Sequence, residues 1–279
     1  LPAGTCGLNN EGNGYYNCTF DPADNLEPGA YLINVTASKD YHFNGTSDTI
    51  VLNILGCLKA NLSSLKNNQT FARGEIIPVK VNLTDEFGNM VKNASVRAII
   101  EKSDGVKVQI NLTFNQSSKL YEGSYQIANN DPIGRWNITI NASKAYFADA
   151  YDQRQLNVFR ALEVNVTRDN STIHREDSLS PNSALITAKV EDESGAVEGA
   201  NVSFYYNGHL IGYNLTNTSG YASITWNPAD DLVPANYTIK AIAKADYSKE
   251  SNSTTWIIVK GLAKVSEIEV KDKVQYRED

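Results

Sequence analysis

Residues 21–41 read DPADNLEPGAYLINVTASKDY. The passage returns at 227–247 as NPADDLVPANYTIKAIAKADY and, more loosely, at 130–146 as NDPIGRWNITINASKAY. Gly14–Tyr41 aligns without a gap on Gly220–Tyr247, 206 residues later, with 13 of 28 positions identical. Pro22/Pro228, Asp24/Asp230, Leu26/Leu232, Pro28/Pro234 and Tyr31/Tyr237 are among them. The middle copy lies 105 residues from the first and has Trp136 in the place of Tyr31. A period of 101–105 residues is that of whole domains, not of a short-repeat solenoid.

Each copy holds a strand that can be read by parity. Tyr31, Ile33, Val35 and Ala37 alternate with polar residues, as do Trp136, Ile138, Ile140 and Ala142, and Tyr237, Ile239, Ala241 and Ala243. Period 2 places one face against a core and the other in water. Short β-rich runs punctuated by turn residues, with no long stretch of helical periodicity, predict an all-β chain. Asn207-Gly208 is a type I′ hairpin signal, and Asn44-Gly45 sits similarly between the last two strands of the first copy.

The aromatic at the head of each strand follows a corner, EPGAY or VPANY. This resembles strand F of an immunoglobulin-like sandwich, where a corner tyrosine bonds back to the chain. The preceding halves agree as well: KVNLTDEFGNMVKNASVRAII (80–100) matches AKVEDESGAVEGANVSFYY (188–206), with an acidic turn at Gly88 and Gly195. The pattern resembles the Ig-like modules of prokaryotic surface proteins: invasin and intimin repeats, S-layer proteins and macroglobulin-like modules. The resemblance covers nearly the whole chain. It implies tandem Ig-like β-sandwiches in an elongated array, and says little about function, because that fold carries many jobs.

On this reading residues 1–56 are the C-terminal strands of a partial Ig-like domain, 57–160 and 161–261 are complete domains, and 262–279 is the first strand of a further domain or an exchanged tail. Two accounts of the ends stay open. One is an excerpt from a longer array. The other is donor-strand exchange, in which Ile268 and Val270, alternating with Glu267, Glu269 and Lys271, pair with a neighbour's incomplete first domain. The junctions Gly56-Cys57 and Phe159-Arg160-Ala161 leave almost no linker, which predicts a rod rather than beads on a flexible tether.

The strongest chemical signal is Asn-x-Ser/Thr, which occurs 18 times: at Asn17, Asn34, Asn44, Asn61, Asn68, Asn82, Asn93, Asn111, Asn115, Asn137, Asn141, Asn165, Asn170, Asn201, Asn214, Asn217, Asn236 and Asn252. With 31 Asn in the chain, chance would give about five such acceptors of N-linked sugar. Residues i and i+2 of a strand share a face, so in Asn137-Ile138-Thr139-Ile140-Asn141 the polar residues point outward and both Ile inward. The same is expected of Asn34-Val35-Thr36, Asn82-Leu83-Thr84, Asn111-Leu112-Thr113 and Asn236-Tyr237-Thr238. Thr favours strands but Asn does not, so Asn on strand faces calls for a reason beyond polarity. N-glycosylation supplies one, and Asn34 and Asn137 are then expected to be sugar-bearing.

Three cysteines leave one over. Cys6 and Cys18 flank the turn at residues 9–14 and map onto Gly212 and Ile224, so a cross-strand disulfide is expected; Cys57 is then free or pairs elsewhere. Acidic pairs at Asp21/Asp24, Asp230/Asp231, Asp85/Glu86 and Glu191-Asp192-Glu193 all fall in turns, where Asp is favoured for backbone reasons; calcium is a secondary possibility without EF-hand spacing. His42, His174 and His209 are scattered, so no metal site is expected. No nucleophile, phosphate-loop or dinucleotide motif is present, and the expectation is a non-enzyme without cofactor. Adjacent aromatics, Tyr15-Tyr16 and Tyr205-Tyr206, offer stacking surfaces for sugars, although one of each pair should face a core.

The net charge of −7, with no basic patch, argues against nucleic acid, and no apolar run is long enough to span a membrane. Together these readings describe an extracellular, cell-surface structural glycoprotein segment of archaeal character, in an S-layer, a surface filament or an adhesin stalk. Its expected partners are copies of itself in a lattice or filament, with other surface proteins or glycans possible. The alternative is an adhesive or carbohydrate-binding module, or a filament subunit assembled by donor-strand exchange.

Overall fold

The computed structural model of the chain describes residues 4–23, 26–263, 265 and 267. The expected tail strand with Ile268 and Val270, and the carboxylate of Asp24, lie outside the described residues. Every regular element among the described residues is a β-strand. Contacts divide the chain into two compact units, Leu1–Val158 and Phe159–Asp279.

The first unit opens with paired segments: β1 (Asn9–Gly12) with β2 (Tyr15–Asn17), β3 (Gly29–Ile33) with β6 (Ile50–Ile54), and β4 (Thr36–Ala37) with β5 (Gly45–Thr46). A sandwich follows. Its strands are β7 (Gly56–Cys57), β8 (Lys59–Leu62), β9 (Gln69–Ala72), β10 (Ile76–Thr84), β11 (Ser95–Glu101), β12 (Lys107–Asn115), β13 (Leu120–Gln126), β14 (Gly134–Ser143), β15 (Phe147–Ala148) and β16 (Ala150–Phe159). Hydrogen bonding runs in the order β8-β10-β13-β12-β11-β14-β16-β9. β12 turns the corner: Lys107–Leu112 pair with β11, and Thr113–Asn115 with β13.

The second unit repeats the plan with β17 (Glu163–Arg168), β18 (Thr172–His174), β19 (Ala184–Asp192), β20 (Gly195–Ala196), β21 (Asn201–Tyr206), β22 (His209–Leu215), β23 (Tyr221–Trp226), β24 (Ala235–Lys244) and β25 (Ser251–Lys260). One sheet holds β17, β19, β20 and β23, and the other runs β18-β25-β24-β21-β22. In immunoglobulin terms these are A-B-E opposite A′-G-F-C-C′. β22 does not pair with β23, so the corner that β12 closes in the first unit is open here.

Parity explains both cores. Inward residues of β14 (Trp136, Ile138, Ile140) and of β24 (Ile239, Ala241, Ala243) are all at 0% exposure. They meet Ile77, Val79 and Val81 of β10 in the first unit, and Ile186, Ala188 and Val190 of β19 in the second, within one hydrophobic cluster per sandwich. Asn207 and Gly208 carry φ of 42° and 89°, the pair of positive values that a type I′ hairpin needs.

Residues 4–56 differ from the sandwiches. The inward parity of β3 is present, yet Ile33 and Val35 are 38% and 39% exposed, where their counterparts Ile239 and Ala241 are at 0%. Among the described residues no sheet covers this face. Tyr15 and Tyr16 are both exposed for the same reason, so the expectation that one of them faces a core fails. The Asn44-Gly45 expectation also shifts. Gly45 opens β5, and the residue at positive φ in this connection is Tyr41, at 63°.

Candidate functional site

Three structural devices recur between copies, and together they frame the surface on which the Asn-x-Ser/Thr sites stand. The first is the corner. Tyr31 and Tyr237 donate their hydroxyls to the carbonyls of Glu27 and Val233, and the Trp136 indole Nε1–H donates to that of Pro132, at 2.5, 2.7 and 2.9 Å. In every case the acceptor is four residues upstream. The polar tip of a large ring is thereby satisfied, and the chain is held at the point where strand F starts.

The second device lies where the chain passes into each sandwich. Gly56 N–H donates to the carbonyl of Tyr146 (3.0 Å), and the next residue, Cys57, donates to a Glu86 carboxylate oxygen (2.8 Å). In the second unit Arg160 N–H donates to Tyr247 (2.9 Å), and Ala161 to Glu193 (2.7 Å). Tyr41, Tyr146 and Tyr247 hold equivalent places and all have positive φ, between 48° and 63°. That conformation is uncommon for a bulky residue. The repeated KDY, KAY and ADY endings are the only trace of this turn in the sequence. The acidic turns therefore have structural tasks. Burial pushes the Asp85 carboxyl upward, but hydrogen bonds from Asn89, Phe87 and Gly88 outweigh it and hold it below its ordinary value. Asp192 lies 3.6 Å from Arg160.

The third device joins strand A to strand G. The Asp152 carboxylate accepts from Leu62 N–H at 2.7 Å and from Gln153 N–H, and pairs with Arg154. Burial acts against its ionisation, yet these donors win and its pKa is lowered. In the second unit Ser253 Oγ accepts from Val166 N–H at 3.4 Å, a weaker version of the same link.

The 18 sites sort clearly on this framework. Fifteen of the asparagines are exposed, and Asn137, Asn141 and Asn170 are half-buried; none is buried. The apolar middle residues Leu62, Leu83, Leu112, Ile138, Val166, Val202 and Tyr237 are all buried. Val35 and Leu215 are exceptions: the face that carries Val35 is uncovered, and Leu215 on β22 is 58% exposed. Asn34 Oδ1 accepts from Thr49 at 2.9 Å. Asn137 and Asn141 flank the buried Ile138 and Ile140 on a central strand, where neighbours on both sides crowd them and their Oδ1 atoms are enclosed without a partner. Asn115, Asn170 and Asn214 donate through Nδ2 to Glu122, Ser183 and Ser223.

Cys6 and Cys18 are joined in a disulfide, and Cys57 is free and exposed. Their counterparts in the second unit face each other too: a Cβ on Gly212 would come within 2.6 Å of Ile224 Cδ1. Those two positions lie on strands of different sheets, not on hydrogen-bonded hairpin partners. His42, His174 and His209 are not brought together, and among the described residues no three His, Cys, Asp or Glu side chains gather as a metal site would require. Tyr206 lies against Trp226 and Tyr237 at centroid distances of 5.1 and 5.8 Å and serves the core. No helix among the described residues is long and apolar enough to cross a membrane.

No protein-family profile matches the chain, and no curated protein sequence does. Solved structures with a similar course of chain include a tetra-tandem repeat from the extending region of a large adhesion protein, at 15% identity and TM-score 0.49, covering 88% of this chain. The chain spans 60% of that structure. Domains 1–4 of Sidekick-1, an immunoglobulin-domain array, match at 15% identity and TM-score 0.42 over 84% of this chain and 59% of theirs. The D00–D0 domains of intimin match at 14% identity and TM-score 0.30 over 72% of this chain and 98% of theirs.

Proposed function

We propose that this chain is a non-enzymatic, N-glycosylated structural segment of an extracellular surface protein, of the archaeal coat, filament or stalk type. One observation carries the proposal: 18 acceptor sequences are written through two β-sandwiches and a half-covered strand set, and none places its asparagine in a core. In strands the alternation that buries the middle residue turns Asn and Ser/Thr toward solvent. Sugar chains there would coat flat β-surface and shield it from proteases, while the sandwiches supply stiffness through the corner, turn and A–G links. Copies of the same chain are the proposed partners in the assembled coat or filament. Brief protease treatment of intact cells that carry the protein tests the location. Release of glycopeptides from residues 57–261 without lysis supports it; protection of the whole chain until lysis contradicts it.

A second reading, adhesion, is favoured by the outer face of the β22-β21-β24-β25 sheet. Tyr213, Leu210, Leu215 and Trp256 are 71%, 57%, 58% and 45% exposed there. The Tyr213-Ser203-Ile242-Asn252 row and the Leu215-Asn201-Lys244 row each include an acceptor asparagine. Sugar at Asn201 and Asn252 would stand over the same patch, which ranks adhesion below the structural role.

A further inference from the structure

The acceptor sites do not drift uniformly between the two sandwiches. Three pairs occupy equivalent positions. Asn61 and Asn165 each precede the last buried residue of strand A, Leu62 and Val166. Asn68 and Asn170 each stand three residues before the buried core residue of strand A′, Phe71 and Ile173. Asn115 and Asn217 each begin the turn from C′ to E, where their Oδ1 atoms accept backbone N–H groups of that turn: Ser117 in one, Ser219 and Tyr221 in the other. The pairings Val96–Leu112 and Val202–Asn214 fix that last equivalence. The remaining sites find no counterpart. Asn82 corresponds to Lys189, Asn111 to Tyr213, Asn137 to Thr238, and Asn141 to Ile242. Eight sites in one sandwich and seven in the other, set down at random over about 100 positions, would coincide about once or less.

The recurring sites share one property. They stand on the flanks of the sandwich, and the sites that drift stand on strand faces or in the turn before strand C, except Asn214, which has no counterpart but lies on the edge strand β22 with its Nδ2 bonded to Ser223. Among the described residues strands A and A′ each pair with one neighbouring strand only: β8 and β17 end the first sheets, β9 and β18 the second. Their outward edges are met only at single amides, Leu62 by Asp152, Val166 by Ser253 and His174 by Pro181. The C′–E turn marks the opposite flank: in the second unit it lies open between β22 and β23, and in the first β13 closes it at Thr113–Asn115 and leaves Lys107–Leu112 of β12 paired with β11 alone. An unpaired strand edge is a template for pairing with another chain. Resting on the glycosylation reading above, we propose that the sugars at Asn61, Asn68, Asn115, Asn165, Asn170 and Asn217 are edge guards. They keep the open strands of each sandwich from adding to the edge of a second copy. Face-standing sugars are free to move between copies, because any outward position covers a face. Edge sugars are held in place, because an edge has one location.

The test uses the full chain from a glycosylating host. In the edge variant Ser63, Thr70, Ser117, Thr167, Thr172 and Ser219 are changed to Ala, which removes six sites and keeps every asparagine. In the control variant Thr84, Ser95, Thr113, Thr139, Ser203 and Thr238 are changed to Ala, which removes six face or loop sites. Glycopeptide mapping and sedimentation are then compared. The proposal expects occupied edge sites in the unaltered chain, about a doubling or more of weight-average mass for the edge variant, and no change for the control. Occupied sites with an edge variant that sediments like the unaltered chain, or a control that associates equally, overturn the edge role and leave the glycoprotein reading standing. Bare edge asparagines in the unaltered chain overturn both at these positions. A second edge variant carrying Asn→Gln at the same six sites must reproduce the result. Association in only one of the two sets assigns the effect to the altered side chains and also overturns the proposal.

Discussion

The Tyr237 hydroxyl donates to the carbonyl of Val233 at 2.7 Å, and 101 residues earlier the Trp136 indole makes the same bond to Pro132 at 2.9 Å. Two chemically different rings thus satisfy one backbone position. Tyr237→Phe keeps the ring and removes the donor, so it should lower the stability of the second sandwich by about 1 kcal/mol. Trp136→Phe loses the bond and leaves part of a fully buried volume empty, so it should cost about 2–4 kcal/mol. Urea midpoints measured for each variant check both, with the larger shift expected for Trp136.

Glu86 and Glu193 hold the first residue of each sandwich through one charge-assisted hydrogen bond to a backbone N–H. Glu193→Ala should free the Ala161 amide, and Glu86→Ala the Cys57 amide. The loss should be about 1 kcal/mol in each case, below the usual range for hydrogen bonds to charged groups because both sites are partly solvated. Amide hydrogen exchange reads this locally. Ala161 should exchange several-fold faster in Glu193→Ala, with little change at Ile239 in the core.

Asp131 is buried with its carboxylate 2.5 Å from Lys102 Nζ, and it accepts from the Tyr125 hydroxyl and from Ala128 N–H. Burial opposes its charge, but these donors prevail and its pKa is lowered. The unfolded chain therefore binds a proton at higher pH than the folded one. The stabilisation is complete above the ordinary carboxylate value of about 4 and is lost as pH falls below it toward the folded value. Lys102 behaves in the opposite sense. Burial lowers its pKa, the bonds to Asp131 and Tyr125 raise it more, and its contribution fades only as pH climbs through that raised value. Asp131→Asn should cost about 3 kcal/mol near neutrality by leaving the ammonium unpaired. It should also flatten the acid limb of the stability curve of the first sandwich.

In residues 4–56, Ile33, Val35, Ile50 and Val51 are 38%, 39%, 63% and 57% exposed. Few buried contacts mean local opening at low free energy. The amides of β3 and β6 should exchange faster by orders of magnitude than those of β24 and β25, although both are antiparallel strand pairs. Equal protection would mean that another surface covers the β3-β6 face in solution.

Much of this architecture is written in the sequence. The alternation Trp136-Ile138-Ile140-Ala142 predicts a strand with a buried face, and the three corner aromatics locate strand F in each copy. Asn207-Gly208 places a hairpin as expected. Other features have no local signature. β12 and β22 begin alike, and only the pairing of Thr113–Asn115 with β13 closes one corner and leaves the other open. The positive φ at Tyr41, Tyr146 and Tyr247 is imposed by the turn against a bulky side chain's own preference, so composition points to glycine elsewhere. The roles of Glu86 and Glu193 depend on a residue about 30 positions away, beyond what an acidic turn shows by itself. The crowding of Asn137 and Asn141 arises from neighbours on two flanking strands, which parity alone cannot reveal.

The central claim is that the outward asparagines of these sandwiches carry sugar. Intact mass of the protein from its natural source, before and after enzymatic or chemical release of N-linked glycans, tests it most directly. The account predicts a mass well above the 30.6 kDa of these 279 residues, once the mass of any flanking sequence is subtracted, collapsing to the bare-chain value on release. A bare-chain mass before any treatment would contradict it.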